Sequence, residues 1–261
     1  TFYNMVSRPI IISIEGNIGA GKTTIIDKLQ EHMKNNKDVL FLREPVDIWE
    51  SIKDPASGDN ILQKFYADSS KYAFPFQVMA YATRLSLIRE AIRKNPDSKA
   101  IICERSLDAD KNIFAQMLFD DGAMEDIHFQ IYKHFYHEYS NEFKLDGIVY
   151  IDAVAEKCHE RVAKRSRDGE SDIGLEYLQK CKHYHDKWLL KETTCHIDAT
   201  PDVCYQANDL GSKWLCQIES YIQDMMMKRN PKTLLSSEQT QLSSSVAGAE
   251  WNLISDYSVW A

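Results

Sequence analysis

The residues best suited to chemistry lie near the start of the chain. Gly16, Asn17, Ile18, Gly19, Ala20 and Gly21 are followed by Lys22, Thr23 and Thr24. A glycine-rich turn of this kind can wrap backbone N–H groups around phosphates and place them at a helix N-terminus. Its lysine then reaches the β- and γ-phosphates, and the Thr23 hydroxyl is placed to ligate Mg2+. The alternative is an ordinary strand-to-helix turn. Four glycine and Lys/Thr positions at these offsets, between an apolar run and a helical pattern, favour nucleoside triphosphate binding.

Three further groups could act on such a nucleotide. In Arg43-Glu44-Pro45, Pro45 keeps Glu44 out of the helical region and can open the next helix. Glu44 is then a carboxylate at a strand end, either a general base or a capping or ion-paired glutamate. In Glu104-Arg105-Ser106, Glu104 is placed to hold Mg2+ or its waters, and Arg105 to clamp a phosphate or Glu44. The competing reading is a surface ion pair. Arg161 and Arg165 share a helix face and, with Arg167, gather three guanidinium groups beside a charged loop. They suit either a lid over phosphates or a solvated basic helix end. Gln77 and Arg84 share one face of a long, largely apolar helix, as a floor reading a base would, or as snorkelling side chains at a core margin. His134, His137, His183 and His185 lack a completing Cys or carboxylate pattern and read as helix-surface histidines.

These residues need a scaffold. Apolar runs at Ile10–Glu15, Val39–Leu42, Ala100–Glu104, Gly147–Ile151 and Cys195–Asp198 read as strands. Helical patterns span Thr23–Lys34, Asn60–Asp68, Pro75–Lys94, Asp110–Phe119, Glu125–Phe143, Ala155–Lys164, Leu175–Leu190 and Asn208–Lys228. The alternation predicts an α/β fold, a doubly wound parallel five-stranded sheet with helices on both faces. In such sheets ligands bind at the carboxyl ends of strands, where the candidate residues fall. Residues 1–229 read as one domain, and 230–261 as a Ser/Thr/Gln-rich tail, weakly ordered or laid on the surface.

A net charge of −8 argues against a broad nucleic-acid footprint. The six cysteines form no C-x-x-C pair, so free thiols in a reducing compartment are expected rather than a zinc site. No apolar run is long enough to span a membrane, and no signal or transit segment is recognisable at the N-terminus. Cytoplasmic placement follows, although a removed transit peptide would leave no trace.

Taken together, several segments resemble the deoxynucleoside kinase family, closest to its deoxycytidine/deoxyguanosine kinase branch. They are I-E-G-N-I-G-A-G-K-T at 14–23, E-P-V-x-x-W at 44–49, F-Q at 76–77 with Arg84, E-R-S at 104–106, R-x-x-x-R-x-R at 161–167 and L-E-Y-L at 175–178. The resemblance implies a P-loop kinase fold with a helical arginine-rich lid, and ATP-dependent 5′-phosphorylation of deoxynucleosides in nucleotide salvage. It makes Glu44 the base, with Arg105 orienting the hydroxyl and the incoming phosphate. Glu104 and Thr23 hold Mg2+, and Arg161, Arg165 and Arg167 cover the phosphates. Tyr66 and Glu170 hold the sugar 3′-OH. Trp49, Phe76 and Phe114 pack the base, and Gln77 hydrogen-bonds it. In the family, an arginine and an aspartate at the positions of Arg84 and Asp110 mark users of deoxycytidine and purine deoxynucleosides rather than thymidine. The resemblance also implies a homodimer through long helices. A nucleoside monophosphate kinase would need further basic residues and no base at Glu44, and a GTP switch would carry N-K-x-D, which is not found here.

Overall fold

The computed structural model describes residues 8–165, 173–192 and 194–229. The first strand, β1 (Ile10–Gly16), leads through the glycine-rich turn into α1 (Lys22–His32). After β2 (Val39–Leu42) come α2 (Val46–Ser51), α3 (Ile61–Ala67) and the long α4 (Ser69–Lys94). Strand β3 (Ala100–Glu104) is followed by α5 (Leu107–Ala109), a π-helical turn over Asp110–Ala115, then α6 (Gln116–Asp120) and α7 (Asp126–Tyr139). The chain continues through β4 (Gly147–Asp152), α8 (Ala155–Arg165), α9 (Leu175–Leu189), β5 (Cys195–Asp198) and α10 (Leu210–Arg229).

The five strands form one parallel sheet in the order β2-β3-β1-β4-β5. β1 shows why the sheet is covered twice. Side chains alternate along a strand. Ile10, Ile12 and Ile14 enter a core shared with α1, α8 and α10, whereas Ile11 enters a second core with α3, α4 and α7. The order places the ends of β2, β3 and β1 side by side. Glu44, the Glu104-Arg105-Ser106 turn and the glycine-rich loop are therefore neighbours.

The expected strands are all present, and the helices differ mainly at their ends. Helix α4 begins before Pro75, because the Asp68 side chain accepts from the Lys71 N–H and starts the helix at Ser69, six residues upstream of the proline. A capping box between Asn60 and Gln63 opens α3. The helix expected at Asp110 starts earlier, at Leu107, capped by Ser106, and contains the π turn. One expectation is overturned. His185 is fully buried rather than on the surface: its ring stacks on Tyr150, and its Nδ1 lies 2.6 Å from the Cys181 carbonyl. Burial holds its pKa well below the ordinary value, so it is a neutral part of the packing behind the glycine-rich loop. All six cysteines are free, four of them buried. Among the described residues no helix is long and apolar enough to cross a membrane. The tail at 230–261 lies outside them.

Candidate active site

A cleft of about 570 Å³ opens at the carboxyl ends of β1, β2 and β3. One end is the glycine-rich loop. A Cβ at Gly16 would stand 2.4 Å from the Ile151 carbonyl oxygen, and one at Gly19, where φ is +80°, 2.5 Å from that of Cys158. Only glycine lets the loop lie this close to β4 and α8. The Lys22 ammonium is buried and donates to the Asn17 carbonyl at 2.9 Å. Burial and the nearby Arg105 charge lower its pKa to about 8. Asn17 donates through Nδ2 to the Leu178 carbonyl at 2.9 Å, fastening the loop to α9. The Thr23 hydroxyl donates to Glu104 Oε1 at 2.7 Å, so two hard oxygen ligands stand together at the start of α1.

The other end is built around Glu44. Its Oε1 lies 3.1 Å from Arg84 Nη2 and 3.3 Å from Arg105 Nε. Burial pushes this carboxyl up, but Arg105, Arg84 and Lys22 together outweigh burial and hold it below the usual glutamate range. It is therefore ionised at neutral pH. Arg105 has φ +63°, a left-handed conformation costing an L-residue about 1–2 kcal/mol. Its guanidinium stacks over Phe114 at 4.6 Å, and its buried Nη1 has no hydrogen-bond partner in the protein.

Arg84 grips Asp110 with two prongs, Nε to Oδ2 at 2.9 Å and Nη2 to Oδ1 at 3.2 Å, and donates from Nη1 to the Glu104 carbonyl at 2.9 Å. Burial works against its charge, and Asp110 and Glu44 more than offset this, holding the guanidinium still more firmly protonated than usual. Arg84 itself does not face the cleft. It lies beneath, while Asp110, Gln77, Trp49, Phe76, Phe114 and Tyr66 form the wall. The Trp49 indole is held by a hydrogen bond from Nε1 to Thr83 Oγ1 at 2.9 Å and meets Phe76 edge-on. Gln77 is buried, with its Oε1 unpartnered by protein.

Of the residues expected in a lid, Arg161 and Arg165 line the cleft. The Arg161 guanidinium is committed to the loop after β5, donating to the Ala199 and Pro201 carbonyls at 2.9 and 3.1 Å and to Asp202 at 3.0 Å. Arg167 and Glu170 lie outside the described residues. The cleft also contains residues to which sequence reasoning assigned no role: Leu62, Phe65 and Tyr177, and Arg43 from the motif that ends in Glu44 and Pro45. Tyr177 belongs to the quoted L-E-Y-L segment and meets Tyr66 edge-on at 6.3 Å, a contact between α9 and α3 that no local pattern reveals. Glu15 did leave a signal, the one charged residue in a strand buried on both faces.

Residues 12–236 match the family model of deoxynucleoside kinases. The chain belongs to the deoxynucleoside kinase family. Relatives include the Fowlpox virus (strain NVSL) protein named probable deoxycytidine kinase, 38% identical over 68% of this chain and 71% of the relative. Human deoxycytidine kinase is 30% identical over 81% of this chain and 88% of its own length. Mitochondrial deoxyguanosine kinase of Xenopus laevis is 30% identical over 70% and 74%. This deoxynucleoside kinase thus carries a nucleotide-binding loop at one end of its cleft and a carboxylate–arginine cluster at the other.

Proposed function

We propose that this kinase transfers the γ-phosphoryl group of ATP to the 5′-hydroxyl of a deoxynucleoside, with Glu44 as general base, in nucleotide salvage in the cytoplasm. The observation that carries this reading is Glu44 itself: an ionised carboxylate facing the cleft, fixed by two arginines beside the glycine-rich loop. It can accept the hydroxyl proton as the bond to phosphorus forms. Arg105, with one guanidinium nitrogen unpartnered, steadies the phosphoryl group in flight. The loop N–H groups, Lys22, Arg165 and Arg167 hold the donor phosphates, and Arg161 braces the helix that carries the lid. The all-oxygen pair of Thr23 and Glu104 fits Mg2+, which takes few protein ligands beside phosphates. When bound, Mg2+ neutralises charge on the β- and γ-phosphates.

The acceptor base packs among Trp49, Phe76 and Phe114. The free Gln77 Oε1 and the Asp110 carboxylate meet its polar edge, and Tyr66 and Glu170 take the sugar 3′-OH. The buried Arg84–Asp110 pair supports preference for deoxycytidine, deoxyadenosine or deoxyguanosine over thymidine. The homodimer is supported by Ile127, Ile131 and Phe135, which form an exposed apolar stripe along α7 suited to a second copy.

The test is Glu44→Gln in a coupled assay across the four deoxynucleosides, alongside calorimetry of ATP binding. Turnover should fall about 10²- to 10⁴-fold with ATP affinity preserved. A variant with unimpaired kcat removes Glu44 as the base.

A further inference from the structure

Strand β1 is buried on both faces, yet Glu15 sits within it, fully enclosed. The Ser106 hydroxyl donates to Glu15 Oε1 at 2.6 Å. The same hydroxyl accepts from the Ala109 N–H at 3.1 Å and so caps α5. Between this anchor and the end of β3 stands Arg105, with its left-handed backbone and its N–H donated to the Ile14 carbonyl at 3.1 Å. The turn is thus stitched to β1 twice, by a backbone bond before Ser106 and by the Ser106–Glu15 bond after it. Its product is the placement of one guanidinium, with Nε 3.3 Å from Glu44 and its plane over Phe114. Ser106 and Glu15 do not line the cleft.

We propose that Glu15 and Ser106 form a positioning pair for phosphoryl transfer: their hydrogen bond holds the left-handed turn that sets Arg105 against Glu44. This rests on reading Glu44 and Arg105 as the acceptor-side machinery. Burial raises the Glu15 pKa, against the pull of Ser106 and Arg105, which suits a carboxyl that serves as hydrogen-bond acceptor more than as counter-charge. A left-handed arginine relaxes readily once its anchor is cut, because L-residues favour other backbone regions. A shift of about 1 Å at a reacting group can cost about a hundredfold in rate.

The experiment is steady-state kinetics of the full chain carrying Ser106→Ala, Ser106→Thr, Glu15→Ala, Glu15→Gln and the double alanine variant, with Glu44→Gln in parallel. Rates are normalised to the concentration of sites that bind ATP. Ser106→Ala and Glu15→Ala should each lower kcat about ten- to a hundredfold, with both KM values within about twofold. Ser106→Thr and Glu15→Gln, which keep donor and acceptor, should hold kcat within about threefold. The double variant should be no slower than the worse single, as expected for one shared interaction. Unchanged kcat in Ser106→Ala overturns the proposal. So does a multiplicative double variant, or Glu15→Gln as slow as Glu15→Ala, which would mean that charge rather than the hydrogen bond matters. If Glu15→Ala does not fold, the Ser106→Ala and Ser106→Thr comparison decides alone. An active Glu44→Gln would instead sink the base assignment and leave the effect of the pair on kcat readable by itself.

Discussion

At the residue scale, the acceptor end is a charge cluster whose members cannot be removed singly without consequence. Arg84 is shared between Asp110 and Glu44; Arg84 and Asp110 are packed away from bulk water, and Glu44 opens onto the cleft. Arg84→Met alone leaves two carboxylates crowded and Asp110 without its partner, and should cost about 3–5 kcal/mol in urea unfolding. Adding Asp110→Ala removes the stranded charge and should restore most of that loss. The same double variant empties the space beside the base, and thymidine turnover should rise from background in the four-nucleoside assay. Lys22 sets a pH limit. With its pKa near 8 in the free protein, the ammonium that attracts phosphates is present at pH 7 and lost as pH rises through 8. ATP affinity should therefore be flat below that point and weaken above it, approaching tenfold by pH 9 in titration calorimetry.

At the element scale, the glycine-rich loop has no slack. Gly19→Ala pushes a methyl group to 2.5 Å from a carbonyl of α8 and demands a positive φ from alanine. It should weaken ATP binding by at least about tenfold while leaving the melting temperature within a few degrees, because the loop lies at the surface end of the sheet. The loop was also the most legible part of the sequence, since its chemistry is local: strand, turn and helix follow one another within fifteen residues or so. The strands were readable for a similar reason, since near-continuous apolar runs mark a sheet buried on both faces. Other features depend on contacts between distant segments. Nothing around His185 distinguishes it from the exposed His183 two positions earlier, and only the docking of α9 behind the loop buries it. Arg84 read as part of a base-reading floor because helical spacing reports a face, not how deep along that face a ligand reaches. The π turn over Asp110–Ala115 has no periodic signature at all, yet it carries both Asp110 and Phe114 towards the cleft.

At the scale of the whole molecule, the α7 stripe is the largest statement about assembly. Ile127, Ile131 and Phe135 recur every fourth residue and stand 61%, 41% and 42% exposed. Such a row on an amphipathic helix is the kind of apolar surface a second copy covers. On the proposed homodimer, Ile131→Glu should shift the protein from dimer to monomer in light scattering behind size exclusion, while a charge reversal at an exposed site away from α7, such as Lys34→Glu, should not. The sheet order has a further consequence, for the moment of synthesis. β1 is synthesised before the other four strands of its sheet, yet it lies at the centre. Ile10 must wait for Ala100 and Ile12 for Gly147, and Asn17 finds its carbonyl only when Leu178 has been made. The nucleotide loop is thus translated before the segments that complete it and is finished only once they have been made. Nascent chains cut short anywhere before α9 carry an apolar strand with no finished site, and are material for chaperones and proteases rather than partial enzymes.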